Sequence, residues 1–228
     1  MFYSIFRIVG RNLLKLFNLR LVKISLSERM LSSFDKNQVI FLQVGANDGV
    51  SFDCLYDFVS ANNWSGVAVE PLKEFYEKLC INYSGFTKVQ LVNLAIHPTD
   101  KYISLFKVDP SFYGDFPDWV KGIASFEKMH LIRNGVPENK ITTETVHCIN
   151  LMELIDQYNL YNVDYIQIDT EGFDFEIIKM IDFKKIKPKM IKFEHAHLSE
   201  DNMNAAKKLL TMHGYKFKKD KQDFFAYL

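Results

Sequence analysis

Short apolar runs alternate with helical segments along most of this chain, and this alternation limits the possible folds most strongly. The clearest run, VDYIQID at residues 163–169, is almost continuously apolar. Such a run is typical of a strand in a parallel sheet that is covered on both faces. Strands that alternate with helices predict an open, mainly parallel α/β sheet with right-handed crossovers. In such a sheet, ligands bind beyond the carboxyl ends of the strands.

The pattern predicts individual elements from residue 38 onward. Strands are predicted at residues 39–44, 67–70, 89–96, 102–108, 141–149, 163–169 and 190–194. Helices are predicted at residues 73–83 and 151–158, and two more are predicted to start at caps formed by Ser51 and Ser199. The last residues, YKFKKDKQDFFAYL, predict two strands around a charged turn.

Residues 109–140 interrupt this alternation and are rich in glycine, proline and aromatic residues. Two interpretations of this insert stay open. Its aromatic side chains, among them Tyr113, Trp119 and Phe126, suit a lid that lines the pocket of an acceptor molecule. They suit a small separate core equally well.

Length and composition favour one domain and exclude some partners. With 228 residues, the chain is long enough for one domain at residues 38–228 after an extension at residues 1–37. Its 28 basic residues balance its 28 acidic residues, so nucleic acid is not expected as a partner. Its 3 cysteines show no CxxC spacing, which indicates reduced thiols and a cytoplasmic location.

Residues 1–27 depart from this charge balance, because they contain five basic residues and no acidic residue. Arg7, Arg11 and Lys15 recur every four residues, so a helix would place them on one face, opposite large apolar side chains. No apolar run is long enough to span a bilayer. Such an amphipathic helix is expected either to lie on the anionic inner face of a membrane or to dock on its own domain or on a second subunit of a homo-oligomer.

A glycine turn and an acidic residue follow the first two predicted strands. The turn GANDG, from Gly45 to Gly49, lies between a strand and a helix, where glycines allow a ligand to approach the backbone closely. Glu70 ends the next strand about 20 residues later, where a carboxylate can accept both hydroxyls of a ribose. Together these features fit either a dinucleotide or S-adenosylmethionine.

Two further features favour S-adenosylmethionine. GANDG lacks the third glycine of the dinucleotide fingerprint GxGxxG, and the C-terminal hairpin resembles the reversed seventh strand of class I methyltransferases. Over residues 39–228 the chain resembles FkbM-type methyltransferases in VIFLQVGANDG, GVAVEP, VNLAI, IDTEGFDFEI, IKFEH and DFFAYL. IDTEGFDFEI follows that family's pattern KIDxEGxExxxL most closely. The resemblance implies an open, mainly parallel, seven-stranded Rossmann-like sheet with a C-terminal antiparallel hairpin strand.

The resemblance also implies which residues bind the cofactor S-adenosylmethionine. Its methionine part is expected at the glycine turn, its ribose at Glu70 and its adenine near Ala95 and Ile96. Many class I enzymes have an acid two residues before the first glycine, whereas this chain has Gln43, which brings no charge. The expected cofactor-binding residues are Gln43, Gly45, Ala46, Asn47, Gly49, Glu70, Ala95, Ile96 and Asp169.

Methyl transfer to a hydroxyl needs a base or a metal that helps the oxygen to lose its proton. Asp169 and Glu171 follow one predicted strand, and Glu194, His195 and His197 follow the next. Of these, Asp169, Glu171 and His195 are the expected catalytic residues. Related sugar O-methyltransferases hold Mg²⁺ with acids at positions that match Asp169 and Glu194 here. The other histidines receive no role: His97, His130, His147 and His213.

The type of acceptor follows from a missing motif. The chain lacks the Asp/Asn-Pro-Pro-Tyr motif of enzymes that methylate exocyclic amines, and DTEG in its place favours an oxygen acceptor. The predicted function is therefore S-adenosylmethionine-dependent O-methylation of a hydroxyl, on a sugar of a glycan, a glycolipid or a secondary metabolite. Two alternatives stay open: an NAD-dependent oxidoreductase with the same glycine turn, and a non-catalytic membrane-associated binding protein.

Overall fold

The computed structural model describes residues 24–34 and 38–228, and the chain divides into two units after Ser33. In the first unit, helix α1 (Leu26–Leu31) starts at Ser25, whose side chain accepts a hydrogen bond from Glu28 N. The Glu28 carboxylate accepts from Ser25 N in return, which completes a capping box. The basic residues predicted to share one helix face lie outside the described residues. Within the described residues, no helix has the length and apolar character that a membrane span requires.

The second unit, Phe34–Leu228, contains a seven-stranded sheet. Across the sheet the strands are β10 (Lys216–Lys219), β11 (Asp223–Tyr227), β9 (Met190–Glu194), β8 (Tyr165–Ile168), β1 (Ile40–Val44), β2 (Ser65–Val69) and β3 (Val89–Val92). Strand β11 pairs antiparallel with both of its neighbours, and the remaining pairs are parallel. The predicted Rossmann-like sheet with a reversed last strand is confirmed.

Helices pack against this sheet and contribute to its core. In this unit they are α2 (Leu55–Asn62), α3 (Lys73–Asn82), α4 (Asp118–Lys121), α5 (Lys128–Arg133), α6 (Leu151–Gln157), α7 (Asp174–Lys179) and α8 (Glu200–Met212). Strand residues such as Ile166 and Phe193 are buried in one cluster with Leu154 of α6 and Leu210 of α8. As predicted, α8 starts after Ser199, whose side chain accepts a hydrogen bond from Asn202 N.

The helix after β1 starts later than predicted. The Asp48 carboxylate accepts hydrogen bonds from Val50 N, Ser51 N and the Ser51 hydroxyl. These bonds hold Ser51 in a turn, and α2 starts only at Leu55. The prediction that Ser51 caps this helix is therefore wrong, because local side-chain bonds to the backbone compete with helix formation.

Four strands form a second sheet that the alternation does not predict. Its order is β4 (Ala95–Ile96), β7 (Ile141–Ile149), β5 (Tyr102–Val108) and β6 (Ala124–Ser125). Strand β5 pairs antiparallel with β6 and β7, whereas β4 runs parallel to β7. The single strand predicted at residues 89–96 is thus two strands in different sheets, since its first half pairs with β2 and its second half with β7.

The insert at residues 109–140 has a small core of its own and also borders the site. Val120, Leu131 and Val136 are buried in one cluster, against which Tyr113 packs. Trp119, half of whose surface is exposed, and Phe126 line the cavity described next. The insert therefore has a small core of its own and also contributes side chains to the cavity wall, and its role as a lid stays a prediction.

Candidate active site

A cavity of about 680 Å³ opens at the carboxyl ends of β1, β2, β8 and β9. Its volume lies within the range of small-molecule sites, about 300 to 1,000 Å³. The structure brings most of the predicted site residues to its wall: Gln43, Gly45, Ala46, Asn47, Glu70, Ala95, Ile96, Asp169, Glu171 and Glu194. Two predicted residues, Gly49 and His195, are not part of this wall.

The start of the glycine turn lies directly against the end of β8. Gly45 has a φ of +80°, and a Cβ at this position would lie 1.8 Å from the Asp169 carbonyl oxygen. Any side chain at Gly45 would therefore clash with the backbone. Gly45 N and Ala46 N both donate to the Val69 carbonyl oxygen, at 3.0 and 2.9 Å. The turn is thus held between the ends of β8 and β2.

Gly49 contributes to packing rather than to the cavity. Its φ is +79°, and a Cβ there would lie 2.5 Å from side-chain atoms of both Leu79 and Tyr83. The missing side chain lets the turn pack tightly against this part of the chain. The position of Gly49 therefore does not support its predicted contact with a cofactor.

The Glu70 carboxylate is buried beside the glycine turn. Its Oε2 accepts a hydrogen bond from Asn47 N at 2.7 Å, and its Oε1 accepts one from Leu72 N at 2.9 Å. Burial raises the pKa of Glu70 to about 7, although these two donors act in the opposite direction. A carboxylate oxygen has two lone pairs, so each oxygen can accept one further hydrogen bond from the cavity.

Asp53 supplies a negative charge next to Gln43. Both Gln43 Nε2 and Gln167 Nε2 donate to Asp53 Oδ2 at 2.7 Å, and all three residues line the cavity. Gln43 Oε1 is buried and lacks a hydrogen-bond partner among the described residues. A donor with positive charge, such as the amino group of a methionine moiety, would satisfy this oxygen. Sequence reasoning missed Asp53, because no motif marks its position.

Carboxylates converge on the part of the cavity formed by β8 and β9. Asp169 is accessible from the cavity, but the surrounding protein removes much of its hydration and raises its pKa to about 8, with a further contribution from Asp174. Burial, together with the charge of Asp169, raises the pKa of Glu194 to about 9. Crowded acids of this kind attract a cation, because a positive charge stabilises their ionised form.

Asp174 connects the two strand ends that carry these acids. Its Oδ2 accepts from the Thr170 hydroxyl at 2.9 Å, and its Oδ1 accepts from Glu194 N at 3.0 Å. Burial raises the pKa of Asp174 to about 7. The side chain is fully buried, so its role is to position the chain on either side of it.

Glu171 lies between two histidines. Its Oε2 is 2.8 Å from His130 Nε2 and 3.6 Å from His197 Nε2. Glu171 has a φ of +54°, which is uncommon for a residue other than glycine. Sequence reasoning gave His130 no role, because it lies in the insert, 41 positions from Glu171, and no motif connects the two.

His195 does not reach the cavity. Strand β9 ends at Glu194, and the His195 ring lies edge-on to Phe224 with Nε2 3.3 Å from the Asp220 carbonyl oxygen. His197 lines the cavity instead. The position of His195 therefore speaks against its predicted catalytic role, and the reason is that the strand alternation stops at Glu194.

The predicted magnesium pair is not supported either. Among the described residues, the group of three or more potential metal-ligating side chains that lie close together is His130, Glu171 and His197. This group contains neither Asp169 nor Glu194. Two of its three ligand atoms are nitrogens, whereas Mg²⁺ prefers oxygen ligands.

Comparison with known proteins identifies the family. The family model for the methyltransferase FkbM domain matches residues 43–218. No curated protein shows a significant match to this chain. Among solved structures, the methyltransferase FkbM from Methylobacillus flagellatus KT is 13% identical, with a TM-score of 0.54 over 88% of this chain and 46% of that protein. This chain thus spans less than half the length of that relative.

Two other solved structures are similar over most of this chain. Precorrin-6y C5,15-methyltransferase from Geobacter metallireducens GS-15 is 15% identical, with a TM-score of 0.45 over 91% of each chain. The N-terminal domain of human METTL16 is 12% identical, with a TM-score of 0.46 over 91% of this chain and 71% of that domain. The match to the family model covers most of the chain and includes the ends of β1, β2, β8 and β9. The chain therefore belongs to the FkbM family of S-adenosylmethionine-dependent methyltransferases.

Proposed function

We propose that this protein transfers a methyl group from S-adenosylmethionine to a hydroxyl group of a small molecule, on a sugar of a glycan, a glycolipid or a secondary metabolite. One observation carries this proposal. The glycine turn with Glu70 and the acid-lined ends of β8 and β9 belong to the same cavity. A nucleoside cofactor and an acceptor therefore have room to meet there.

The cofactor fits the half of the cavity near β1 and β2. We assign its ribose hydroxyls to the Glu70 carboxylate, which has lone pairs left to accept them. We assign its amino group to Asp53 and to Gln43 Oε1, which lacks a hydrogen-bond partner among the described residues. The buried apolar side chains of Ala95 and Ile96 line the cavity and suit the adenine. When bound, the cofactor supplies an electrophilic methyl group on a positively charged sulfur.

The acceptor is assigned to the half of the cavity near β8 and β9. Asp169 is the base in this proposal: it holds the proton that the acceptor hydroxyl loses as its oxygen bonds to the methyl carbon and the carbon–sulfur bond breaks. The electron pair of that bond remains on sulfur, so charge balances. Trp119 and Phe126 add flat apolar surfaces to the cavity wall, which suit the face of a sugar ring.

Cofactor binding tests the first half of the proposal. In isothermal titration calorimetry, the full-length protein should bind S-adenosylhomocysteine and should not bind NAD under the same conditions. Binding of NAD without binding of S-adenosylhomocysteine would instead support an oxidoreductase. Acceptors are then found by following a labelled methyl group into the polysaccharide, lipid and small-molecule fractions of the source cell.

Replacing the proposed base tests the second half. Asp169→Asn should lower turnover at least about 100-fold, because general base catalysis contributes factors of that size. The affinity for S-adenosylhomocysteine should change much less. Asp57→Asn, at an exposed position on α2, is the matched control and should keep the activity of the wild type. Wild-type turnover in Asp169→Asn would place the base elsewhere.

A further inference from the structure

We infer that His130, Glu171 and His197 form a binding site for one divalent transition-metal ion. Their ligand atoms, two histidine nitrogens and one carboxylate oxygen, all lie within 4.8 Å of one another. His130 belongs to α5 in the insert, Glu171 follows β8, and His197 follows β9. Three separate parts of the fold therefore bring their ligand atoms to one place.

The distances agree with ligands around one ion. Bonds from Zn²⁺ to histidine nitrogen or carboxylate oxygen are about 2.1 Å long, so neighbouring ligand atoms lie about 3.0 to 3.5 Å apart. In the structure, Glu171 Oε2 lies 2.8 Å from His130 Nε2 and 3.6 Å from His197 Nε2. These two distances differ from that range by a few tenths of an ångström at most, and the three ligand atoms lie within 4.8 Å of one another.

The contacts of His130 Nε2 are compatible with such an ion. This nitrogen lies 2.8 Å from the Glu171 carboxylate oxygen and 3.2 Å from Asn134 Nδ2. One imidazole nitrogen either donates or accepts, so it cannot pair with an acceptor and a donor at once. An ion bound between His130 and Glu171 replaces the first contact. Asn134 Nδ2 meanwhile donates to the His130 carbonyl oxygen, at 3.0 Å.

The backbone at Glu171 is also unusual. Its φ of +54° is followed by a φ of +100° at Gly172. The left-handed conformation costs a residue with a side chain about 1 to 2 kcal/mol. Conformations of this cost are concentrated at functional sites. Here the conformation accompanies a carboxylate that contacts two imidazoles.

Glu194 offers a fourth ligand, and the cavity leaves the site open. Glu194 Oε1 lies 3.6 Å from His197 Nε2, and Glu194 Oε2 is buried without a hydrogen-bond partner among the described residues. Buried polar atoms normally have partners, so this oxygen indicates a missing one. Glu171, Glu194 and His197 line the cavity. An ion there keeps an accessible position, as in catalytic metal sites.

The donor set selects the class of metal. Two imidazole nitrogens with one or two carboxylate oxygens suit Zn²⁺, Mn²⁺, Fe²⁺ or Co²⁺, whereas Mg²⁺ and Ca²⁺ prefer oxygen ligands alone. The metal site follows from the positions of these ligand atoms and does not depend on methyl transfer. Its role rests on the proposed function: a Lewis acid at the open position lowers the pKa of an acceptor hydroxyl, whose proton then passes to Asp169.

Direct metal binding tests the site. The untagged full-length protein, stripped with a chelator and dialysed, is titrated with Co²⁺ as a spectroscopic probe and then with Zn²⁺ as a competitor, in the absence of cofactor. We expect one Co²⁺ per chain, visible absorption bands from nitrogen and oxygen ligands, and their loss when Zn²⁺ is added.

Variants of the ligands make the test specific. His197→Gln and Glu171→Gln should each weaken Co²⁺ binding at least about tenfold, since even the loss of an outer-shell partner has an effect of that size. His147→Gln, on the exposed side of β7, is the matched control and should bind Co²⁺ like the wild type. Both ligand positions are partly exposed, so these variants should fold, which circular dichroism checks.

Two results would overturn the inference: substoichiometric Co²⁺ binding by the wild type, or wild-type affinity in both ligand variants. Binding of S-adenosylhomocysteine, measured on the same protein in the presence of chelator, separates this inference from the proposed function. Cofactor binding without metal binding would contradict the metal site and leave the proposed function in place. Metal binding without cofactor binding contradicts the proposed function and leaves the site in place.

Discussion

At the residue scale, Glu70 shows how one side chain serves both the fold and the site. Its two oxygens hold Asn47 N and Leu72 N, which fixes the glycine turn relative to the end of β2. The same carboxylate lines the cavity and keeps lone pairs for a ligand. Any substitution at Glu70 is therefore expected to affect both ligand affinity and stability.

The first prediction concerns ligand affinity. At pH 8, where the carboxylate is largely ionised, Glu70→Gln should weaken S-adenosylhomocysteine binding by about 1.5 to 3 kcal/mol, the range for hydrogen bonds to a charged group. Calorimetry measures this change directly. Glu77→Gln, an exposed position on α3, is the control. If Glu70→Gln bound S-adenosylhomocysteine as tightly as the wild type, Glu70 would not be the residue that binds the ribose.

The second prediction concerns stability and pH. The pKa of Glu70 is raised from 4.5 to about 7 in the folded protein, so the folded state keeps this proton longer than the unfolded state. The retained proton of Glu70 contributes fully to stability below about pH 4.5, and this contribution is lost as the pH rises to about 7. The loss amounts to about 3 kcal/mol of unfolding free energy. The free energy of unfolding should therefore fall from pH 5 to pH 8.

Glu70→Gln isolates this contribution, because it removes the titrating group. Its loss of unfolding free energy between pH 5 and pH 8, measured with urea, should be smaller than that of the wild type. Part of the loss remains, because burial also raises the pKa of Asp174 to about 7. Glu77→Gln should follow the wild type. An unchanged loss in Glu70→Gln would contradict the raised pKa.

The location of a single residue could be predicted from the sequence where the residue directly follows a predicted strand. Glu70 and Asp169 follow strands, so the sequence places them at the carboxyl edge of the sheet. Asp53 and His130 were not predictable, because their roles depend on partners brought near by the fold: Gln167 for Asp53 and Glu171 for His130. His195 does not line the cavity, because its strand ends at Glu194, and alternation does not show where a strand stops.

At the element scale, the turn between β1 and α2 determines how closely two strands approach. Gly45 lies against the Asp169 carbonyl oxygen and also has a positive φ. A second glycine, Gly135, has a similar φ of +85°, but a Cβ there would have no atom within 4 Å. The two positions therefore separate the effect of backbone conformation from the effect of crowding.

The third prediction uses this pair. Gly135→Ala should lower the free energy of unfolding by about 1 to 2 kcal/mol, the cost of the left-handed conformation alone. Gly45→Ala should lower it by at least about 2 kcal/mol more, because the methyl group would displace the end of β8. Urea unfolding measures both variants. Equal losses would mean that the turn can move away from Asp169 without cost.

The bounds of a strand could be predicted where the local sequence pattern defines both of its ends. The predicted bounds of β5, β7 and β9 coincide with those in the structure, because each is a compact run between turn residues. The choice of partner strand is not local. Residues 89–96 read as one strand, yet Val89–Val92 and Ala95–Ile96 belong to different sheets. No periodicity in the sequence distinguishes these two pairings.

At the scale of the whole molecule, the fold follows from the alternation of strands and helices in the sequence. The set of side chains that line the cavity does not follow from it. The parallel sheet places the ends of β1, β2, β8 and β9 together, and the insert at residues 109–140 adds His130, Trp119 and Phe126 to that region. The sequence left the role of the insert open between a lid and a separate core, and the contact of His130 with Glu171 becomes visible only in the folded chain.

The fourth prediction concerns the basic N-terminal segment. All five basic residues of residues 1–27 lie within residues 1–23, and each basic residue contributes about 1 kcal/mol near an anionic bilayer. Removing residues 1–23 should abolish co-sedimentation with anionic vesicles and leave the urea midpoint unchanged. Neutral vesicles are the control. A lower midpoint after truncation would instead show that the segment docks on its own protein.

The central claim is that the cavity at the strand ends binds S-adenosylmethionine through Glu70. A crystal structure of the full-length protein with S-adenosylhomocysteine tests it most directly. The ribose hydroxyls should lie within hydrogen-bond distance of the Glu70 carboxylate, and the amino group should contact Asp53 or Gln43. A nucleoside bound outside this cavity, or a Glu70 carboxylate without contact to the ribose, would contradict the claim.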